Sequence, residues 1–174
     1  MVSDLNKEFA RLKEIATKAL DQVNEKQFFQ TIDPESNSIA IIVKHLAGNM
    51  KSRWRDFLTS DGEKPDRRRD HEFMVLDGDN RDSIMQQFEE GWLTLFGAIT
   101  PLQDGDLQRT VYIRGEPLTV FQAMIRHVSH YGYHVGQIVV LARHFRQYEW
   151  QTLSIAKGKS EDFNKDPQAY IRKG

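Results

Sequence analysis

Residues 120–145 read VFQAMIRHVSHYGYHVGQIVVLARHF, and the fold can be worked out from this stretch. Apolar residues recur in it at steps of three and four, which predicts one long helix with Thr119 as its cap. The predicted core side of this helix consists of Phe121, Met124, Val128, Tyr131, Val135, Ile138, Ala142 and Phe145. A polar stripe runs beside that side and consists of His127, His130, His134 and Gln137. Side chains in such a stripe can point into the bundle and still contact water, so we expect the functional residues there.

The spacing of the three histidines selects pairs that can share one metal ion. His130 and His134 lie four residues apart, so their imidazoles lie on one face of the helix. His127 lies two turns, or ~10 Å, from His134, which is too far for both to bind the same ion. His127 and His134 are therefore alternative partners of His130. For His127 itself the open choices are a ligand, a catalytic base beside the ligands that could shuttle a proton, and a bystander.

Three further amphipathic patterns precede the long helix. They predict a first helix from near Asp4 to about Val23, a second from about Ser38 to about Leu58, and a third capped by Asn80 or Asp82. The third helix ends before Pro101 and Gly105, and much of the second should be buried.

The second predicted helix carries the fourth histidine of interest. His45 follows Ile41 and Ile42 by one turn, so we expect a buried imidazole that needs a partner. A metal ion is one such partner, and a hydrogen bond in the core is the commoner one. Gly132 and Gly136 lie inside the long helix, where each costs ~1 kcal/mol relative to alanine. We interpret both as room for close helix packing or for a ligand.

The connections are uneven in length and composition. Residues 60–80 are polar, contain Gly62, Pro65 and Gly78, and form the kind of long loop that often lies near function. The run Arg67-Arg68-Arg69 is flanked by acidic residues and is predicted to be a solvated loop. Residues 110–113 favour a brief hairpin, and residues 28–37 are predicted to form a connection. In the polar tail, Leu153, Ile155 and Phe163 are candidates to pack back on the body.

These patterns predict an all-α protein, a four-helix bundle with at least one long crossover and a mostly irregular tail. The length suits a single domain over residues 1–174, with its core at 3–148 and its tail at 149–174.

Composition excludes several function classes. The 24 basic and 25 acidic residues give a net charge of −1, which argues against nucleic-acid binding and against a polybasic membrane anchor. The absence of cysteine excludes disulfides, thiolate catalysis and cysteine-bound zinc. No stretch approaches the ~18 apolar residues of a membrane helix, and the first residues lack an apolar signal core. We therefore expect a cytoplasmic protein.

Two motifs carry a resemblance to a known family. Ile42-Val43-Lys44-His45-Leu46-Ala47-Gly48-Asn49 on the second helix and His130-Tyr131-Gly132-Tyr133-His134-Val135-Gly136-Gln137 on the fourth resemble the DinB superfamily, also called DinB/YfiT-like. The segment from Trp150 to Ile155 resembles the tail of a domain-of-unknown-function subfamily within it.

The resemblance implies a DinB-type bundle that often forms homodimers. It also implies a divalent metal, nickel or zinc, held by His45, His130 and His134. Characterised members include transferases and isomerases that use low-molecular-weight thiols, and proposed metal hydrolases.

The leading hypothesis is a metal-dependent enzyme, a thiol-dependent transferase or a hydrolase, with an open coordination position. Asn49 and Gln137 are candidates to orient a ligand or substrate, and Arg53 or Arg126 to meet an anionic substrate. Glu116 and the acids of the 60–80 loop are unranked candidates for a general base. One alternative is a non-catalytic, stress-related binding or scaffold protein with a structural metal. Another has only hydrogen-bonded histidines and no metal.

Overall fold

The computed structural model describes residues 1–167 and shows an all-α bundle, as predicted. Its long helices are α1 (Val2–Leu20), α3 (Ile39–Trp54), α4 (Arg81–Ile99) and α5 (Val120–Arg146). Two short helices are α2 (Glu25–Phe29) and α6 (Ser160–Lys165), and one small antiparallel hairpin joins β1 (Thr110–Ile113) to β2 (Glu116–Thr119). Helix α3 packs mainly on α4 and α1 mainly on α5, while α3 also contacts α5. Among the described helices, none combines the length and the apolar character that a bilayer-spanning segment requires.

Helix α3 is the central helix of the bundle. The Ser38 hydroxyl accepts a hydrogen bond from the Ile41 N–H at 3.3 Å, and nearly every side chain that follows is buried. A helix that buries all its sides belongs in a protein interior, and this matches the sequence prediction. The helix ends at Trp54 rather than near Leu58, because Arg55 is extended and Asp56 adopts a positive φ of 49°.

Helix α5 begins where the sequence predicts. Thr119 and Gln122 form a reciprocal capping box that satisfies two backbone N–H groups. Tyr131, Ile138 and Ala142 are fully buried, as expected. The assignment of Phe121 to the core is wrong, since its side chain is 37 % exposed. It lies about 100° round the helix from the buried Val120, which places it on the flank of the apolar stripe.

A buried hydrogen-bond chain joins the two helices that carry the histidines. The indole Nε1–H of Trp54 donates to the Tyr131 hydroxyl at 2.9 Å, and that hydroxyl donates to Oδ1 of Asn49 at 3.1 Å. The ring of Phe9 packs edge-on against Trp54, with centroids 5.9 Å apart. The indole N–H, the hydroxyl and the Asn49 oxygen are all hydrogen-bonded to one another. This hydrogen-bond chain therefore fixes α3 against α5 without leaving these buried groups unpaired.

The predicted hairpin is confirmed, and the long loop binds to it. Val111 pairs with Leu118 across the two strands. The Gly62 N–H donates to the Tyr112 carbonyl at 2.7 Å, and the Asp61 carboxylate accepts from the backbone N–H groups of Arg114 and Gly115 at 2.8 and 2.7 Å. The loop after α3 and the hairpin before α5 therefore form one connected unit.

The remaining differences concern short elements. Helix α2 is not predicted, and the connection expected over residues 28–37 starts inside it: Asn24 and Gln27 form a capping box that begins five helical residues. A run this short gives no readable hydrophobic period. Helix α1 ends at Leu20, close to the expected end. In the tail, Leu153 is half-buried against the core, whereas Ile155 is 38 % exposed. The predicted tail beyond residue 167 lies outside the described residues.

The hydrogen-bond chain generates a stability prediction. We expect Tyr131→Phe to lower the free energy of unfolding by about 2–3 kcal/mol, because the Trp54 Nε1–H and the Asn49 oxygen both lose their partner in a buried place. Urea unfolding followed by tryptophan fluorescence measures the change. Tyr148→Phe removes the same hydroxyl from a fully exposed side chain and should change stability by less than about 0.5 kcal/mol. Equal effects of the two variants would show that the chain contributes nothing.

Candidate metal centre

Three imidazoles converge between α3 and α5. The Nε2 atom of His130 lies 3.3 Å from Nε2 of His45 and 3.2 Å from Nε2 of His134. One nitrogen from each ring can be chosen so that all three lie within 4.8 Å of one another. This geometry resolves the choice left open by the sequence: His134, not His127, joins His130 and His45.

Hydrogen bonds at the far side of two rings decide which nitrogens carry protons. Nδ1 of His45 lies 2.9 Å from the carboxylate Oε2 of Glu72, and Nδ1 of His134 lies 2.8 Å from the amide Oε1 of Gln137. Both acceptors require an N–H, so in the neutral rings the proton is on Nδ1 and Nε2 presents a lone pair. The lone pairs of His45 and His134 therefore both point at Nε2 of His130.

The three facing nitrogens suit a cation. The ring of His130 can offer at most one proton at Nε2, so one of its two contacts joins lone pair to lone pair. A metal ion between the rings removes that repulsion. Two imidazole nitrogens bound tetrahedrally to one zinc ion at ~2.0–2.1 Å are about 3.3 Å apart, which agrees with the two contacts of His130. The residues present therefore fit a divalent ion.

The surroundings keep the imidazoles of His130 and His134 neutral, which is the form that binds metal. Burial, together with the neighbouring rings of His134 and His45, lowers the pKa of His130 to about 3. Burial also lowers the pKa of His134, although the hydrogen bond that its Nδ1–H donates to Gln137 partly opposes it. At neutral pH neither ring needs to lose a proton before it binds a cation.

Glu72 is the residue that sequence reasoning left unranked. It lies in a 3-10 turn over Arg69–Phe73, is 7 % exposed, and accepts hydrogen bonds from Nε and Nη2 of Arg67 at 2.8 and 2.9 Å. Burial alone would raise its pKa, but the hydrogen bonds from His45 and Arg67 outweigh burial and lower it. A carboxylate that holds the outer nitrogen of a histidine is the usual partner of a metal-binding imidazole.

Arg67 departs from the prediction that the run of three arginines is solvated. Arg68 and Arg69 are exposed, but the Arg67 side chain is only 4 % exposed. The prediction is wrong for Arg67 because two carboxylates, Glu63 and Glu72, draw its guanidinium into the loop.

A glycine makes room for the Glu72 carboxylate. A Cβ placed on Gly48 would lie 2.3 Å from Oε1 of Glu72, closer than any real contact. The two glycines singled out from sequence have no such role: a Cβ on Gly136 meets nothing within 4 Å, and one on Gly132 makes only ordinary contact with Leu12. The available signal was Gly48 itself, a glycine in mid-helix one turn after His45.

His127 lies beside the three-histidine group but outside it. It is 4 % exposed, its Nδ1–H donates to the Ala123 carbonyl at 2.7 Å, and its ring centroid is 6.5 Å from that of His130. Burial lowers its pKa to about 4, against the opposing effect of the Ala123 hydrogen bond. His127 is therefore a neutral side chain at neutral pH.

The other site residues of the sequence analysis take different places. Gln137 holds His134, and Asn49 belongs to the chain that includes Tyr131. Arg53 is buried and donates to the Gly62 carbonyl at 2.5 Å and to Glu63 at 2.8 Å. Arg126 is exposed and pairs with Glu116 at 2.8 Å. Whether any of them meets a substrate stays a prediction.

A cavity of about 220 Å³ opens beside this group. His45 and His130 form part of its wall, together with Asn49 and His127. The ring of Phe73 covers His45 from another side, with centroids 4.9 Å apart. The group is thus shielded on one side and approachable from the cavity on another.

Fold and site together define an all-α bundle protein with a three-histidine group that can hold a metal ion. The chain belongs to the family described as "Protein of unknown function (DUF1572)", which matches residues 1–159 and so includes all the residues of this group. No curated protein matches the chain.

The contact between Gly48 and Glu72 gives a test of the outer hydrogen bond. We expect Gly48→Ala to displace the Glu72 carboxylate from His45 and to weaken zinc binding about 10–100-fold, the usual effect of losing such a partner. Competition with a chromophoric chelator measures the affinity. Gly136→Ala adds the same methyl group where nothing lies within 4 Å and should leave the affinity unchanged. Unchanged affinity in Gly48→Ala would contradict the role given to Glu72.

The low pKa of His127 predicts a loss of stability in acid. Below pH 6.5 the unfolded chain protonates this ring, whereas the folded protein does not until near its pKa of about 4. The contribution of His127 to the free energy of unfolding is therefore fully present above pH 6.5. It falls as the pH drops, by about 2 kcal/mol at pH 5. Urea unfolding in chelator at pH 7 and pH 5 measures it. His127→Gln should reduce this fall, whereas the exposed-site control His144→Gln should keep it.

Proposed function

We propose that the protein is a metal-dependent enzyme that binds nickel or zinc through His45, His130 and His134 and keeps one coordination position open. The observation that supports this most directly is the convergence of three imidazole nitrogens with lone pairs directed at one place. Imidazole ligands suit both metals. A cavity at His45 and His130 supports an open position, because a purely structural site is closed by its ligands.

We further propose that the chain is a DinB-superfamily protein of the thiol-dependent transferase or hydrolase type. Two facts support this. The matching motifs lie on α3 and α5, in the order that the resemblance requires, and the family of unknown function to which the chain belongs is compatible with it. A low-molecular-weight thiol as co-substrate, a homodimer and a cytoplasmic location rest on the resemblance or on composition and belong to the same proposal.

A divalent ion held by three neutral imidazoles would lower the pKa of a thiol or a water molecule that reaches it. The residues of this chain prepare the place for it. Glu72 keeps the Nε2 lone pair of His45 inward, and Gln137 does the same for His134. Phe73 covers the ring of His45 and limits the approach of water from that side.

His127 has a defined task within this proposal. Its Nδ1–H is committed to Ala123, so Nε2 is the nitrogen that can accept a hydrogen bond from a substrate in the cavity. Because its pKa is about 4, it accepts without becoming charged at neutral pH. His127 therefore accepts a hydrogen bond that orients the substrate. As a proton shuttle it would carry the proton only transiently, because the charged ring is unstable at neutral pH.

One observation favours the alternative of a non-catalytic protein with a structural metal: the three histidines come from two helices, so an ion would join α3 to α5. The same helices are already joined by the hydrogen-bond chain of Trp54, Tyr131 and Asn49. A metal ion is therefore not needed to hold the two helices together, and we favour the enzymatic proposal. Turnover of any thiol with an electrophilic acceptor would exclude the alternative.

The metal assignment predicts the metal content of the purified protein. We expect untagged protein to retain close to one nickel or zinc ion per chain by elemental analysis, and His134→Ala to lose it. His144→Ala removes an exposed imidazole from the same helix and should retain the metal in full. Chelator should lower the melting temperature of the wild type but not that of His134→Ala, since stabilisation by a ligand requires its site. Full metal retention in His134→Ala would refute the assignment.

A further inference from the structure

The cavity beside the three histidines has an unusual wall. Half of the ten residues that line it are arginines, and none is acidic. The arginines are Arg53, Arg67, Arg69, Arg114 and Arg126. A concave surface of one sign concentrates ligands of the opposite sign, so the composition of this wall carries information about what enters.

Two of the arginines form a fixed, buried part of the wall. The Arg53 and Arg67 side chains are 8 % and 4 % exposed, and both pair with Glu63. Arg67 is further held by two hydrogen bonds to Glu72. These guanidinium groups are committed to the loop, so they contribute positive potential and not free donors.

The other three arginines are exposed and come from three separate segments: Arg69 from the 3-10 turn, Arg114 from the hairpin and Arg126 from α5. Arg114 uses Nε for Glu63, and Arg126 uses Nη1 for Glu116. Arg69 lies over the ring of Phe73 at 4.9 Å and has no carboxylate within ion-pair distance among residues 1–167. Each of the three keeps guanidinium N–H groups that no described carboxylate accepts.

The charges do not cancel. The carboxylates that pair with these five guanidinium groups are Glu63, Glu72 and Glu116. Counted against these ion-pair partners, the five guanidinium groups leave two positive charges over, and the Asp61 carboxylate on the Arg114 and Gly115 N–H groups offsets one of them. Guanidinium groups bind carboxylate and phosphate in a planar, two-bonded geometry, which makes oxyanions the matching ligands.

We propose that the cavity binds a small molecule that carries an oxyanion, a carboxylate or a phosphate, and that Arg69, Arg114 and Arg126 hold this group at the cavity mouth. Its other end then faces His45 and His130. The reactive role of that end rests on the proposed function, whereas binding of the anion does not require a metal. A volume of about 220 Å³ lies below the ~300–1,000 Å³ of pockets for drug-sized ligands, so the ligand has the size of a simple metabolite.

Isothermal titration calorimetry at constant ionic strength tests this proposal with three probes: succinate, inorganic phosphate and uncharged succinamide. We expect succinate or phosphate to bind at one site and succinamide not to bind. Arg69→Gln should weaken anion binding about 10-fold, the effect of losing a charge-assisted hydrogen bond. Arg143→Gln removes another exposed arginine, which lies on α5 outside the cavity, and should change nothing. Arg126→Gln is a second cavity variant, and melting temperatures check that every variant is folded.

The outcomes separate this inference from the metal assignment. Each titration is run on metal-loaded and on chelator-treated protein, with the metal content measured in both. Anion binding by chelator-treated protein would support the cavity, and failure of the metal-loaded sample to hold any metal would refute the metal site without affecting that result. Retained metal without anion binding would refute the anion-binding proposal and leave the metal assignment standing. Equal weakening by Arg69→Gln and Arg143→Gln would overturn the proposal, since it would show general attraction to a basic surface. Saturation by phosphate but not succinate, or the reverse, supports the proposal and identifies the anion class.

Discussion

The hydrogen bond from Nδ1 of His45 to the carboxylate of Glu72 is the contact on which the rest of the site depends. It places the proton of His45 on the outer nitrogen and so leaves the inner one free. It is possible only because Gly48 has no side chain and because Arg67 binds both oxygens of the same carboxylate. One bond thus joins the central helix, the long loop and the three-histidine group.

The need of buried polar groups for partners also explains why the long polar segment after α3 is ordered. Helix α3 buries charged side chains, and each needs a partner because an unpaired buried charge is very costly. Lys44 binds the Met74 carbonyl and Asp79, and Arg53 binds Gly62 and Glu63. All these partners lie between α3 and α4. The segment folds back on the helix because its polar groups pair with the buried charged groups of the helix.

The difference between apolar helices and a loop held by polar contacts also decides how much of the structure could be predicted from the sequence. The four long helices were predictable because each carries an apolar stripe with a helical period, and the four-residue spacing of His130 and His134 follows from the same geometry. Glu72 was not predictable as the partner of His45, because the two are 27 positions apart and the loop that follows the end of α3 has no period. Arg67 was assigned to solvent because its acidic neighbours in sequence were taken as its partners, whereas its partners in space are Glu63 and Glu72. Phe121 shows the limit of the helical period at the edge of a stripe, where 100° of rotation separates buried from exposed.

The hairpin and the loop that Asp61 and Gly62 join together have a consequence for how such proteins diversify. The histidines stand on the bundle helices, while Arg69 and Arg114 stand on this attached unit. The exposed arginines that meet the ligand and the histidines that face the ion therefore lie mostly on different stretches of the chain, with Arg126 on α5 as the exception. Replacing Arg69 and Arg114 while Arg67 and Glu72 are kept would change the ligand preference and leave the hydrogen bond to His45 in place, which makes these exposed arginines the natural positions for both evolution and engineering to vary.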